Sequence, residues 1–231
     1  MSSETFLATF GLIGLRLVER HGIDPQRFAR ELGFASTAIP DAKTRLPSEL
    51  GDLGFEKAMA LIPEPAFALR AAECWHPSHL GTLGYAWLSS GSLRTALKRL
   101  ERYSHLLGQK ASCKCGDTAE GLCFSFDTGR GDAPVGHAVA DFALSLILSM
   151  CRTNLGAPLA PLSAGLRRPL PANRQPYDDF FGCRVAFGAA QDCFVLARHI
   201  ADQPLPTATL ALASTLGAAW ALAHLTTSDL Q

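Results

Sequence analysis

The sequence predicts an α+β fold in which a mostly antiparallel sheet packs against helices and the N-terminal portion is helical. Apolar residues recur at helical spacing through residues 1–73, while residues 111–126 show the alternation of a β-hairpin. Short strand-like runs at 162–170, 185–187 and 193–196 follow a long apolar helix. Adjacent hairpins with a single crossover give a mainly antiparallel sheet, which is typical of the α+β class.

The composition fits a globular protein. The chain has 231 residues, of which 48% are apolar and 18% charged, so it can bury a substantial core. We expect one domain over residues 1–206, with a helical portion (1–73) and an α+β portion (74–206), and then a C-terminal helix over 207–231. Basic and acidic residues balance at 21 each, and no basic run could neutralise several phosphates, so we predict no DNA contact by this chain alone.

The helical N-terminal portion is predicted from caps and helix breakers. Asp24 is suited to cap a helix that begins at Pro25, because its side chain can accept a free N–H of the first turn and proline needs no partner there. Glycines and prolines set the other boundaries. The predicted helices cover 4–20, Pro25 to about Gly33, Pro47 to about Ile62, and 66–73.

The central helix is predicted over 93–107. Ser92 is a suitable N-cap, and Gly108 suits a left-handed helix stop. The segment before it, 80–88, has glycines at 81 and 84 where a backbone could approach a neighbour closely.

The β-hairpin has a defined apolar face. Pairing Cys115 with Leu122 and Cys113 with Phe124 places the alternating apolar side chains together and puts Cys123 on the opposite face. A long, mostly buried helix is predicted next, over 134–155.

We predict a soluble, cytoplasmic protein without membrane contact. The first residues carry Glu4 and lack the basic start of a signal peptide. The most apolar segment, Ala138–Cys151, contains Asp141 and is too short to span a bilayer. Seven cysteines, an odd number in a chain this large, are expected to be reduced thiols.

Two stretches resemble a known family. Residues 80–107, LGTLGYAWLSSGSLRTALKRLERYSHLL, and residues 167–208 resemble the N-terminal effector-binding, arabinose-binding-type domain of AraC-type transcription regulators. In the second stretch the resemblance is carried by Tyr177, Phe180, Phe181, Gly182, Cys183, Val185, Phe187, Gly188 and Pro204 to Thr207. The resemblance covers most of the chain and is weaker before residue 70.

The resemblance implies a ligand-sensing and dimerisation domain with a small-molecule effector and a homodimeric state. The helix over 207–231 would lead toward the family's DNA-binding part, a pair of helix-turn-helix units that has no counterpart in this sequence. The family label suggests a β-barrel, whereas the residues predict an α+β fold. Whether that DNA-binding part was removed or is naturally absent stays open.

Eight residues are candidates for lining an effector cavity, because such cavities combine aromatic side chains with a few polar groups. These are Trp75, His79, Tyr85, Trp87, Tyr103, Phe124, Asp141 and Phe142. Asp141 has two interpretations: it lies near the helix start, partly exposed and favoured by the helix dipole, or it reaches a polar or cationic effector. His137, four residues earlier, shares its face and could hydrogen-bond to it.

We predict no enzyme activity, metal or cofactor. The residues from Cys74 to His79 match no standard zinc spacing, and the hairpin register separates Cys123 from Cys113 and Cys115. Nucleophile-elbow, Walker and dinucleotide-binding motifs do not occur in the sequence. A competing hypothesis is a small enzyme, or a metal- or haem-binding sensor, that uses the seven histidines and seven cysteines. A purely structural dimerisation module is a third.

Overall fold

Helices and strands occur in the order expected of an α+β fold, and the prediction of that class is confirmed. The computed structural model describes residues 4–34, 43–206 and 208. The helices are α1 (Ala8–Arg20), α2 (Pro25–Glu31), α3 (Ser48–Leu61), α4 (Thr82–Leu88), α5 (Leu93–Leu107), α6 (Pro134–Leu155), α7 (Gln175–Phe181) and α8 (Arg198–Asp202), with 3-10 helices at Phe67–Glu73 and Pro77–Leu80. The strands are β1 (Thr5–Leu7), β2 (Arg45–Pro47), β3 (Ser112–Asp117), β4 (Gly121–Asp127), β5 (Ser163–Leu166), β6 (Val185–Phe187) and β7 (Asp192–Ala197).

The main sheet has five strands in the order β3-β4-β7-β5-β6. Neighbouring strands are antiparallel except for the parallel pair β5 and β6, which needs a crossover that α7 supplies. A separate antiparallel ladder joins β1 to β2 and so ties the start of α1 to the start of α3. The sheet is therefore mostly antiparallel, as predicted.

The predicted register of the hairpin is wrong by two residues. Cys115 pairs with Phe124 and Cys113 with Phe126, because the strands continue closer to the turn and leave a loop of only 118–120. The Thr118 amide donates to the Gly121 carbonyl (2.8 Å) and closes this loop. An offset of two residues preserves the faces of both strands, so the predicted apolar face is retained.

Several predicted boundaries also differ. The first helix begins at Ala8 because the residues before it pair with β2. Gly108 is extended (φ −163°), and the chain leaves α5 to pair with β1: a bridge joins Phe6 to Gly108, and the Gln109 amide donates to the Thr5 carbonyl (3.0 Å). The strand predicted at 162–170 covers only Ser163–Leu166. The predicted C-terminal helix, 207–231, lies outside the described residues apart from residue 208.

The helix α6 forms the centre of the core. It contacts the 3-10 helix at Phe67–Glu73, α3, α5 and the strands β4 and β7. Among the described residues it is the one helix long and apolar enough to cross a bilayer, and 78% of its most apolar window is buried inside the protein. The apolar composition of α6 is therefore explained by its burial in the protein core.

A cluster of charged residues joins the start of α5 to β3 and α8. At the N-terminus of α5, Arg94 donates to Asp117 (2.5 Å) and to Asp202 at the end of α8 (3.2 Å to Oδ2). Asp202 and Asp117 raise the pKa of the Arg94 guanidinium further above its ordinary value. Nearby, the Leu205 amide donates to the Gly91 carbonyl (3.0 Å). The start of α5 and the segment after α8 are thereby fixed to each other.

Candidate functional site

A cavity of about 420 Å³ lies between α1, α2, α3, α5 and α6. Pockets that bind small molecules have volumes of roughly 300–1,000 Å³. Most of the lining side chains are aliphatic or aromatic, including Leu17, Phe28, Phe55, Leu100, Ile147 and Met150. The cavity therefore offers an apolar environment of a size suited to a metabolite.

Glycines within helices form part of the cavity wall. Gly11 and Gly14 lie inside α1 and line the cavity, and a Cβ atom built at either would meet no atom within 4 Å. Gly51 and Gly54 of α3 also line it, and their Cβ positions would contact side chains at 3.3 and 3.6 Å. Each glycine inside a helix costs about 1 kcal/mol relative to alanine. Their effect here is to leave space between α1 and α3 that side chains would otherwise fill.

One end of the cavity is charged. Lys110 and Arg130 are both lining residues and both bind Asp52: Lys110 Nζ lies 2.6 Å from Oδ2, and Arg130 Nε lies 2.6 Å from Oδ1. The side chains of Lys110, Arg130 and Asp52 are 27, 11 and 18% exposed. Among the described residues, two cations and one carboxylate leave a net positive charge at this end. Among the described lining residues there is no aspartate or glutamate.

The cavity extends along α6. The lining residues of α6 recur at spacings of three and four positions and form one face of the helix: Val139, Phe142, Ala143, Leu146, Ile147 and Met150. At 1.5 Å per residue, this row is about 16 Å long. The charged end lies beyond the N-terminal end of the row, because Arg130 Cβ is 3.1 Å from the Cβ position of Gly136.

Of the eight predicted ligand-lining residues, Phe142 lines this cavity and the other seven lie elsewhere. The Phe142 ring packs edge-on against Phe55, with the ring centroids 5.4 Å apart. Phe124 is buried between the sheet and the helices and stacks on Phe194 at 5.4 Å. Trp87 is buried, and its indole N–H donates to the Met150 carbonyl (3.3 Å).

The remaining aromatic candidates are at or near the surface. Trp75 is half-buried and donates to Ser149 Oγ (3.1 Å). Tyr85 is 48% exposed. Tyr103 is partly buried against the core, and the guanidinium of Arg102 lies 5.4 Å from its ring centroid. These side chains are therefore not brought together around one space.

His79 is buried beside the cavity and fixes α1 to the second 3-10 helix. Its Nδ1 accepts the His76 amide (3.0 Å), and its carbonyl accepts the Thr9 hydroxyl (2.6 Å). Burial lowers the pKa of the imidazole to about 4, and the positive charge of nearby Arg16 contributes. His79 is thus a neutral structural hydrogen-bonding group, next to the lining residue Leu80.

The prediction that Asp141 is partly exposed near the helix start is wrong. It is the eighth residue of α6 and only 1% exposed, because its side chain is covered by its partners Tyr177, which lies in α7, and Arg168. It accepts the Tyr177 hydroxyl (2.9 Å) and pairs with Arg168, whose guanidinium lies 4.9 Å from the Tyr177 ring centroid. Burial raises the pKa of the Asp141 carboxyl to about 7, although the Arg168 charge opposes this. Asp141 is not among the cavity-lining residues.

The cysteines and histidines do not form a metal-binding cluster within residues 4–34, 43–206 and 208. All seven cysteines are free thiols. Burial raises the pKa of Cys113 to about 11 and that of Cys115 to about 12, so both stay protonated at neutral pH. A protonated thiol is a poor nucleophile and a poor metal ligand.

The cavity cannot be predicted from the sequence, because its walls come from segments far apart in the chain. Lys110 and Arg130 lie 58 and 78 positions from Asp52. The one local signal was the occurrence of glycines inside α1 and α3, since an apolar helix rarely keeps such residues without a reason.

Comparison with known proteins gives consistent matches. The profile of the family described as the arabinose-binding domain of AraC transcription regulators, N-terminal, matches residues 22–205. The ornithine utilization regulator of Pseudomonas aeruginosa is 27% identical over 207 residues, which are 84% of this chain and 57% of that protein. The crystal structure of the transcriptional regulator CdpR from Pseudomonas aeruginosa has a TM-score of 0.61 at 18% identity, covering 82% of this chain and 58% of that one. The chain therefore spans little more than half the length of either protein, and the likeness to CdpR concerns the fold.

Proposed function

The chain belongs to the family of arabinose-binding N-terminal domains of AraC transcription regulators, and on that premise we propose that the cavity between α1, α3 and α6 binds a small-molecule effector. The observation that carries this proposal is the cavity itself, about 420 Å³ and bordered by glycines inside two helices. Close packing is the rule in protein interiors, so an apolar cavity of this size among the described residues supports a ligand-binding role. The proposed role is ligand sensing in a cytoplasmic regulator.

The effector would act by shifting a conformational equilibrium. A ligand that contacts both α1 and α6 binds more tightly to one spacing of these helices than to another, and this difference in affinity is what shifts the population. We further propose that the regulator is a homodimer and that DNA is contacted by a part of the protein other than this domain.

The name of the curated relative suggests ornithine as a compound to test. The charges of the described cavity favour a different class. Ornithine carries one carboxylate and two ammonium groups; Lys110 and Arg130 could bind the carboxylate, but the two ammonium groups would require carboxylates, and the described lining has none. An anionic or neutral apolar effector suits this lining better.

The test is thermal unfolding of the purified chain against a metabolite panel, with native mass spectrometry alongside. A ligand at a hundred times its Kd stabilises the fold by about 2.7 kcal/mol, which gives a clear rise in Tm. The cavity is tested with Gly14→Leu, which adds a side chain to the lining. Ala60→Leu adds the same side chain at an exposed position of α3 and is the matched control.

Loss of the ligand-induced shift in Gly14→Leu, with the shift kept in Ala60→Leu, would support the proposal. An equal shift in both variants would place the ligand elsewhere and contradict it. If no metabolite raises the Tm and native mass spectrometry shows a dimer, a structural dimerisation module would be favoured. A metal or haem found in the mass spectrum would favour the competing sensor hypothesis.

A further inference from the structure

We propose that the effector is an amphipathic carboxylic acid, whose carboxylate binds Lys110 and Arg130 and whose hydrocarbon chain lies along α6. This inference rests on the proposed function, because it assigns a ligand class to the same cavity. It is carried by two separate features: the charge at one end of the cavity and the length of its apolar part.

Among the described residues, the contacts of Lys110 and Arg130 leave N–H donors for a further anion. Arginine has five N–H donors and lysine has three. In the described residues, the Arg130 guanidinium binds Asp52 and the Thr128 carbonyl (2.5 Å), while Lys110 Nζ binds Asp52. Asp52 neutralises one of the two cations. A second carboxylate could therefore complete both the charge balance and the hydrogen bonding of this cluster.

Asp52 has a defined part in this arrangement. Without a ligand it holds the ends of Lys110 and Arg130 together at the cavity, although they come from different segments. With a ligand it shares the cations with the incoming carboxylate and repels it, since like charges at short range disfavour each other. Asp52 would thus weaken the binding of an acid while keeping its site organised.

The apolar part suits a chain rather than a compact ring system. The lining face of α6 is about 16 Å long, and the residues at its far end, Ile147 and Met150, are almost fully buried. The four glycines of α1 and α3 widen the space between the helices. The polar groups of the lining include the hydroxyls of Ser48 and Ser104, which are few for a sugar or a nucleotide.

Chain length and head group can be varied separately in titration calorimetry of the whole chain. The probes are saturated fatty acids from octanoic to hexadecanoic acid, below their micellar concentrations, with dodecanol and dodecylamine as head-group controls. Affinity should rise roughly tenfold for each two carbons until the cavity is filled, and then level off. Dodecanoic acid should bind at least tenfold more tightly than dodecanol, and dodecylamine should bind most weakly.

The variants are Lys110→Gln, Arg130→Gln and the double variant, with Lys114→Gln at an exposed position of β3 as the matched control. Each single variant should weaken dodecanoic acid about tenfold and leave dodecanol unchanged, and the double variant should bind acid and alcohol equally. Asp52→Asn should bind the acid several-fold more tightly. Thermal unfolding of each unliganded variant shows whether it is folded.

The outcomes separate the two proposals. Equal affinity for acid and alcohol in the wild type, or variants with unchanged affinity for the acid, would overturn the assignment of the carboxylate site. A metabolite hit that Gly14→Leu abolishes, combined with no binding of any fatty acid, would overturn the ligand class and leave the effector cavity standing. No hit of any kind would count against both.

Discussion

Replacing His79 by asparagine should remove part of the acid sensitivity of the fold. The imidazole has a pKa of about 4 when folded and 6.5 as the ordinary value, so the folded protein holds it neutral. A depressed histidine pKa contributes stability that is fully present above pH 6.5 and is lost as the pH falls toward about 4. The two pKa values differ by about 2.5, which corresponds to about 3 kcal/mol at 1.36 kcal/mol per pKa unit.

Asparagine is the appropriate substitution because its side-chain oxygen can accept the His76 amide in place of Nδ1 and does not titrate. The assay is urea unfolding at a series of pH values from neutral down to about pH 4, comparing wild type with His79→Asn. The wild type should lose about 3 kcal/mol more than the variant over this range. The exposed His199→Asn variant is the control and should follow the wild type. Parallel pH profiles for wild type and His79→Asn would refute the reasoning, since they would mean that His79 is not held neutral.

Three further predictions concern stability at neutral pH, each measured as the free energy of unfolding in urea. Gly84→Ala should destabilise the fold by about 3 kcal/mol, since its Cβ would lie 2.0 Å from the Pro77 carbonyl oxygen; a neutral effect would show that this packing is loose. Gly14→Ala should stabilise by about 0.5–1 kcal/mol, because the new methyl group meets open space and helix propensity improves; destabilisation would mean that the space is filled. Asp141→Ala should cost about 3 kcal/mol by leaving Arg168 without its buried partner, and a loss below about 1 kcal/mol would show that the pair is not needed.

Helices were predicted well where a single feature of the sequence, such as an N-cap or a long apolar run, marked them clearly. The helix α5 was predicted with its observed bounds, because Ser92 caps it as expected and accepts the Thr95 amide (3.2 Å). The helix α6 was predicted at its observed bounds of Pro134–Leu155 from its long apolar run. In the hairpin, alternation determined the faces correctly, but it could not determine which residues pair, since a shift of two residues keeps every face.

Predicting the site was harder because residue type does not separate a pocket from a core. Trp87 and Phe124 were candidates as large aromatic side chains, yet they are fully buried against neighbours. The groups that distinguish the cavity are glycines, which carry no hydrophobic pattern, and the charged cluster of Asp52, Lys110 and Arg130, which only the tertiary fold assembles. The conformation of Gly108 could not be predicted from local sequence either. Glycine often adopts a left-handed conformation after a helix, but here pairing with β1 holds the backbone extended.

The contact of Arg94 with Asp202 means that α5 connects the cavity to α8. The C-terminal half of α5 lines the cavity through Leu100, Ser104 and Leu107, whereas its N-terminal end is fixed to α8. A helix of 15 residues moves as a stiff rod about 21 Å long. We expect a small tilt at the cavity end of α5 to be transmitted along the helix to α8, without any change inside the sheet.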